Sequence, residues 1–184
     1  MQKQAADHAG LAFGEFAHGD PAAFEGIIRE HQAMVFSLAL HFLREPSQAE
    51  DVAQEVFLEL YQNRAAIESA SHLRFWLRKV TCHRSLDSIR RRASHCTTSL
   101  ADAPEPVAAE NKHDPILQRR LGRLINTLPE KWRMALILRY QEDLEYREIA
   151  EVMGIPVNSV KSSLERALAL MHEKLARSTA GVRK

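Results

Sequence analysis

Gly154 and Pro156 stand two residues apart between two stretches of helical periodicity, and few folds accept that pattern. Before them Ile149, Ala150 and Val152 recur at helical spacing; after them Val160, Leu164, Ala167 (with Leu168) and Met171 form a second inward stripe. Glycine adopts the left-handed conformation that ends a helix, and proline cannot continue one. The chain must therefore turn, with Asn158 or Ser159 placed to cap the second helix. That helix leaves Ser159, Lys161, Ser162, Ser163 and Arg166 outward. Residues 141–175 thus read as a helix-turn-helix, and small polar and basic side chains at a helix N-terminus suit the major groove of DNA. An ordinary helical hairpin with a solvated face has the same local pattern, so the rest of the chain must decide between them.

The chain has 184 residues, 45% of them hydrophobic, with only 7 Gly and 7 Pro, which argues for an all-α fold. No apolar run is long enough to cross a bilayer, and MQKQAADHAG lacks the basic-then-apolar order of a secretory signal, so a cytoplasmic location without membrane insertion is expected. Cys82 and Cys96 are too few for a disulfide framework and read as reduced thiols. A formal charge of +1 is low for a protein that holds duplex DNA alone, because phosphate contacts require cations. Binding to DNA without a partner should be weak.

The charge is segregated. From Glu45 to Leu60 there are five acidic residues and no basic one; from Ser71 to Arg92 there are seven Lys or Arg against the single Asp87. Two surfaces of opposite sign imply two partners, one basic and one polyanionic.

Two small helical domains joined by a flexible linker follow from the element pattern. Residues 1–19 have no sustained period and read as a loose arm. Asp20 and Pro21 begin a helix with Phe24, Ile27, Ile28, Met34, Val35, Leu38 and Phe42 inward, ending at Pro46. Ser47 to Glu50 has capping-box spacing and opens a second, burying Val52, Val56, Phe57 and Leu60. A third starts near Ser71, buries Leu73, Trp76, Leu77, Val80, Leu86 and Ile89, and ends in Arg90, Arg91 and Arg92, giving a domain over 20–92. Residues 93–114 carry too little apolar surface to fold and form the linker. A second domain spans 115–177: a helix from Asp114-Pro115, another from Pro129 through Trp132, Leu136 and Tyr140, then the helix-turn-helix. Residues 178–184 are a tail.

Three blocks, AEDVAQEVFLELY (49–61), FWLRKVTCHRSLDSIRRR (75–92) and LEYREIAEVMGIPVNSVKSSLERAL (144–168), with LPEKWRMALILRY (128–140) before the last, resemble the bacterial sigma factors of the extracytoplasmic-function type. The resemblance covers about 21–177 and implies a sigma2-like and a sigma4-like domain. It also implies binding to core RNA polymerase and recognition of the promoter's −10 and −35 elements. Asp51, Gln54 and Glu55 share one helix face by spacing, and by resemblance that face grips the coiled coil of the polymerase's largest subunit. The C-terminal domain meets the flap region, and an anti-sigma factor is a further candidate partner.

Strand separation exposes base faces and phosphates, which call for aromatic platforms flanked by cations. Arg74, Phe75, Trp76, Arg78, Lys79, His83, Arg84, Arg90 and Arg91 supply both, with Trp76 also on the apolar stripe; by resemblance this stretch takes the −10 element, with Asp87 orienting the basic residues or contacting the strand. His83 stands where many relatives have Asn. Asn158, Ser159, Lys161, Ser162, Ser163 and Arg166 are assigned to the −35 element. Ser163 and Leu168 stand where relatives often have Arg, and Glu145 where they begin the helix with Ser or Thr, a weaker cap.

Other chemistry finds no support. Cys82-His83 and His95-Cys96 lack the spacing that brings adjacent ligands onto one tetrahedral zinc. No phosphate loop, nucleophile elbow or HExxH occurs, so neither an enzyme nor a bound cofactor or metal is expected. The rival reading is a free-standing helix-turn-helix regulator with an N-terminal sensing or protein-binding domain, disfavoured by the low net charge.

Overall fold

A computed structural model describes residues 16–95 and 115–180, and the chain divides into two compact units, one within Met1–Ser99 and one within Leu100–Lys184. In the first unit three helices pack against one another: α1 (Pro21–Leu43), α2 (Pro46–Asn63) and α3 (Ala70–His95), with a short 3-10 turn at Arg64–Ala66 between the last two. α1 starts as its sequence dictates, the Asp20 carboxylate accepting the Ala22 N–H at 2.9 Å and Pro21 filling the first turn. It buries Ile27, His31, Val35, Leu38 and Phe42 at steps of three and four, with Ala39 and Leu43 beside them. Of these, Ile27, Val35, Ala39 and Leu43 share one core cluster with Val52, Val56, Phe57 and Leu60 of α2 and with Leu73, Leu77 and Val80 of α3. Truncating a fully buried member such as Leu77 to Ala costs about 2–5 kcal/mol.

Several local expectations shift. α1 ends before Pro46, at Arg44, which takes φ 63°. The cap of α2 is Glu45 rather than Ser47: its carboxylate accepts from Ser47 N at 3.3 Å and Gln48 N at 3.0 Å, with Pro46 in the first turn. The Ser47 hydroxyl also donates to Glu45, and this bond holds the Glu45 carboxyl below its ordinary pKa. Ser69 caps α3, its hydroxyl accepting the His72 N–H at 3.1 Å. The expected loose arm of 1–19 is four residues too long, since Phe16 is 0% exposed and stacks on Phe24 at 6.1 Å; the remainder lies outside the described residues. α3 runs on to His95, past the expected boundary at 92, and Leu86 is only half-buried while Thr81, Cys82 and Ser85 line the interior. The rest of the expected linker, 96–114, lies outside the described residues.

The second unit contains α4 (Pro115–Asn126), α5 (Glu130–Tyr140), α6 (Tyr146–Met153) and α7 (Val157–Ala180). α5 is its centre: Arg133, Met134, Ala135, Leu136, Ile137 and Leu138 are all buried, as in a helix covered on every side. Tyr140, expected on the inward stripe, is instead 65% exposed. α6 and α7 pack on α5 and on each other, and Lys174 Nζ ties α7 to the end of α4 through Thr127 Oγ1 at 2.7 Å. α7 runs into the expected tail as far as Ala180, and residues 181–184 lie outside the described residues.

Gly154 ends α6 with φ 64° and ψ 36°, its N–H bonded to the Ala150 and Glu151 carbonyls. α7 then begins at Val157, the Pro156 carbonyl accepting from Ser159 N at 2.9 Å and Val160 N at 3.2 Å. Asn158 and Ser159 therefore lie inside the first turn, and neither is the cap. Val160, Leu164, Ala167 and Met171 are buried as expected; Leu168 is 36% exposed, a quarter-turn too far around the helix to join them.

Candidate functional site

On α2 the residues at steps of three and four outside the core are Asp51, Gln54, Glu55 and Leu58. Asp51 and Gln54 are exposed. Glu55 is half-buried, with Oε2 inside and making no hydrogen bond, in the electrostatic reach of Arg84 on α3. Leu58 is 61% exposed and adds an apolar centre to this acidic face. Beside it lies a groove of 680 Å³ between α1 and α2, walled by Ile28, Phe36, Ala53 and Phe57 with Glu50 and Gln54 at its edge. Leu58 and the groove went unassigned in the sequence; the signal available was an apolar residue off the α2 stripe and Phe36 off that of α1.

α3 carries the cations. Arg74, Arg90, Arg91 and Arg92 are exposed, and Arg78, Lys79, His83 and Arg84 are half-exposed. Phe75, Lys79 and His83 follow at steps of four, and the Lys79 ammonium lies 6.0 Å from the Phe75 ring centroid. Trp76 is half-buried and packs on the core, in keeping with its place on the stripe. Asp87 accepts from Arg90 at 3.3 Å. Arg84 turns towards α2, its Nε donating to Glu59 Oε2 at 2.9 Å and its Nη2 to the same oxygen, which raises the Arg84 pKa. Arg92 Nη1 donates to Gln48 Oε1 at 3.1 Å. Behind this helix His31 of α1 is buried near Arg74 and Arg78. Burial lowers its pKa from 6.5, and the two arginines add to the effect against Glu30.

In the second unit Asn158, Ser159, Lys161 and Arg166 are exposed at the start of α7, while Ser162 and Ser163 are half-buried. The Ser162 hydroxyl donates back to the Asn158 carbonyl at 2.9 Å. Glu145 is a better start for α6 than expected: the Glu148 carboxylate returns to the Glu145 N–H at 2.7 Å in a capping box. Arg139 holds the same point, donating to Leu144 O at 2.9 Å and Glu145 Oε1 at 3.2 Å. Among the described residues no three His, Cys, Asp or Glu converge in a way that could hold a metal ion.

The described residues thus form one helical unit with an acidic and a basic helix, and a second that ends in a helix-turn-helix. Residues 27–95 match the family model for Sigma-70 region 2, and residues 118–171 that for Sigma-70, region 4. The ECF RNA polymerase sigma factor SigE of Mycolicibacterium smegmatis is 28% identical over 170 residues, 88% of this chain and 66% of that protein. SigW of Bacillus subtilis is 26% identical, covering 85% of this chain and 91% of the relative; the sigma-E factor of Escherichia coli K12 is 29% identical, at 85% and 88%. The sigma factor RpoE of Bartonella quintana, solved with the anti-sigma factor NepR, shares the fold at a TM-score of 0.70 and 19% identity, over 83% of this chain and 96% of that one. CnrH, solved with the cytosolic domain of CnrY, does so at 0.64 and 19%, over 92% and 97%. The chain belongs to the sigma-70 family of RNA polymerase sigma factors, in its extracytoplasmic-function class.

Proposed function

We propose that this sigma factor docks on core RNA polymerase through the outward face of α2, with Asp51 and Gln54 as polar contacts, Leu58 as their apolar centre and Glu55 at the inner edge. The coiled coil of the largest subunit is the partner of that face, and the flap region that of the second unit. The Phe75, Lys79 and His83 row of α3, flanked by Arg74, Arg78, Asp87, Arg90 and Arg91, takes the −10 element as its strands part. Arg84 contributes from its seat on Glu59, and Trp76 supports the row from the core. The start of α7 enters the major groove of the −35 element with Asn158, Ser159, Lys161 and Arg166, while Ser162 and Ser163 lie along its flank.

The observation that carries this reading is the segregation of charge within one three-helix unit. Adjacent helices present an acidic, partly apolar face and a row of cations with an aromatic ring, so two partners of opposite charge can be held together. The chemistry of RNA synthesis belongs to the polymerase, and this chain supplies none. It works in the cytoplasm, where an anti-sigma factor covering the same faces is the candidate inhibitor. Among the described residues no helix is long and apolar enough to cross a membrane.

The test is run-off transcription from a promoter library with purified core polymerase, with and without the chain, alongside co-purification of Asp51→Lys with core. Specific products that require the chain, and loss of the complex in the variant, are expected. Asp51 is exposed, so the variant's own stability should change by no more than about 0.5 kcal/mol. Sequence-specific duplex binding by the chain alone, with no product from core, is the result of a free-standing regulator and defeats the proposal.

A further inference from the structure

Tyr146 opens α6 with its side 39% exposed, and two cations from two other helices lie near its ring. The Arg139 guanidinium carbon of α5 is 5.4 Å from the ring centroid, and the Lys161 ammonium of α7 is 5.9 Å from it. Both distances fall within the range in which a ring's quadrupole attracts a cation. Arg139 is anchored independently, on the Leu144 carbonyl and the Glu145 carboxylate. The backbone beside the ring is fixed as well, by the Glu148 carboxylate on the Glu145 N–H. Lys161 has a four-carbon stem whose rotations otherwise scatter its charge over many directions. It stands among the exposed residues of α7 that face the proposed groove.

We propose that Tyr146 is a positioning residue: its ring holds the Lys161 ammonium at the start of α7 in the direction of a DNA phosphate, and Arg139 with Glu145 fixes the ring. The phenol hydroxyl has no part in this, so phenylalanine serves equally well. The inference rests on the reading of α7 as the helix that enters promoter DNA, and the test separates the two.

In the full chain, proton NMR of the Lys161 ε-methylene group reads the contact directly, because a ring face shifts these protons upfield. The shift is expected in the wild type and in Tyr146→Phe, and its loss in Tyr146→Leu. A mixed-sequence DNA duplex, titrated at several salt concentrations, reads the consequence. Lys161→Gln should weaken binding and flatten the salt dependence by about one unit of slope. Tyr146→Leu should produce part or all of that change, Tyr146→Phe none, and Tyr146→Leu added to Lys161→Gln no further loss. Absence of the upfield shift in the wild type, additive losses in the double variant, or weakened binding by Tyr146→Phe overturns the proposal while leaving the placement of α7 intact. A silent Lys161→Gln overturns the placement of α7 in the groove, and this proposal with it, even where the NMR contact is present.

Discussion

Arg84 of α3 and Glu59 of α2 meet through two guanidinium nitrogens on one carboxylate oxygen, so a cation of the basic helix is neutralised by an anion of the acidic one. The contact joins the two helices that carry the polymerase face and the −10 face. It also offsets part of the positive charge that Arg84 offers from this seat.

Glu59→Gln should therefore have two opposed effects. The pair is partly exposed, 40% at Arg84 and 28% at Glu59, so its loss should cost about 1 kcal/mol or less in stability, read by urea denaturation. The released Arg84 should steepen the salt dependence of binding to a mixed-sequence duplex. An unchanged slope would mean that Arg84 faces away from DNA even when freed.

His31 should make the first unit acid-sensitive. Its pKa is depressed in the folded chain, by burial and then by Arg74 and Arg78 against Glu30, so the unfolded chain takes up a proton at about 6.5 that the folded chain refuses. Its share of stability is constant above that pH and is lost as pH falls below it, down to the depressed folded value. His31→Leu should reduce the slope of unfolding free energy against pH in this window. Equal slopes in the two chains would remove His31 as the cause.

Cys82 should be chemically silent. It is 0% exposed, and burial pushes its thiol up to about 12, so the thiolate that reacts with alkylating agents is scarce at neutral pH. In a Cys96→Ser chain at about pH 8, labelling of native Cys82 should be at least roughly a thousandfold slower than for a free cysteine, and should appear together with global unfolding in denaturant. Rapid labelling of the native chain contradicts the packing of α3.

Ser163→Arg tests the flank of α7. The position is half-buried beside Leu164, and an arginine can lay its stem along the helix and carry its charge outward. Binding to duplex should tighten and its salt slope should steepen by about one unit, with base preference nearly unchanged. A changed base preference would move the residue from the phosphate rail to the base edges.

The features legible in the sequence are those that act on a few neighbouring residues. Asp20 with Pro21 starts a helix and Gly154 with Pro156 breaks one wherever the chain goes, because capping and φ restriction are local. The steps of Val160, Leu164, Ala167 and Met171 gave the buried face of α7 for the same reason. Phase was harder. Trp132, Leu136 and Tyr140 keep helical period on α5, but a helix covered on all sides has no single stripe, and Tyr140 turned out exposed while Arg133 is buried. Partners distant in sequence were not legible: Arg84 and Glu59 are 25 positions apart, and an isolated Phe16 in an aperiodic stretch offers no period to read. For the site, the spacing of Asp51, Gln54 and Glu55 put all three on one face, but only packing against α3 turned Glu55 inward and left Leu58 out.

The Gly154 corner is closed by backbone hydrogen bonds within the chain itself, the Ile155 N–H reaching the Ala150 carbonyl at 3.0 Å. The angle at which α7 leaves α6 is therefore set when the unit folds. Restricting a backbone residue costs about 1–2 kcal/mol, and here that restriction precedes any encounter with duplex. Association then orders side chains alone, a pre-organised fit whose heat-capacity change stays far below that of a segment that folds as it binds.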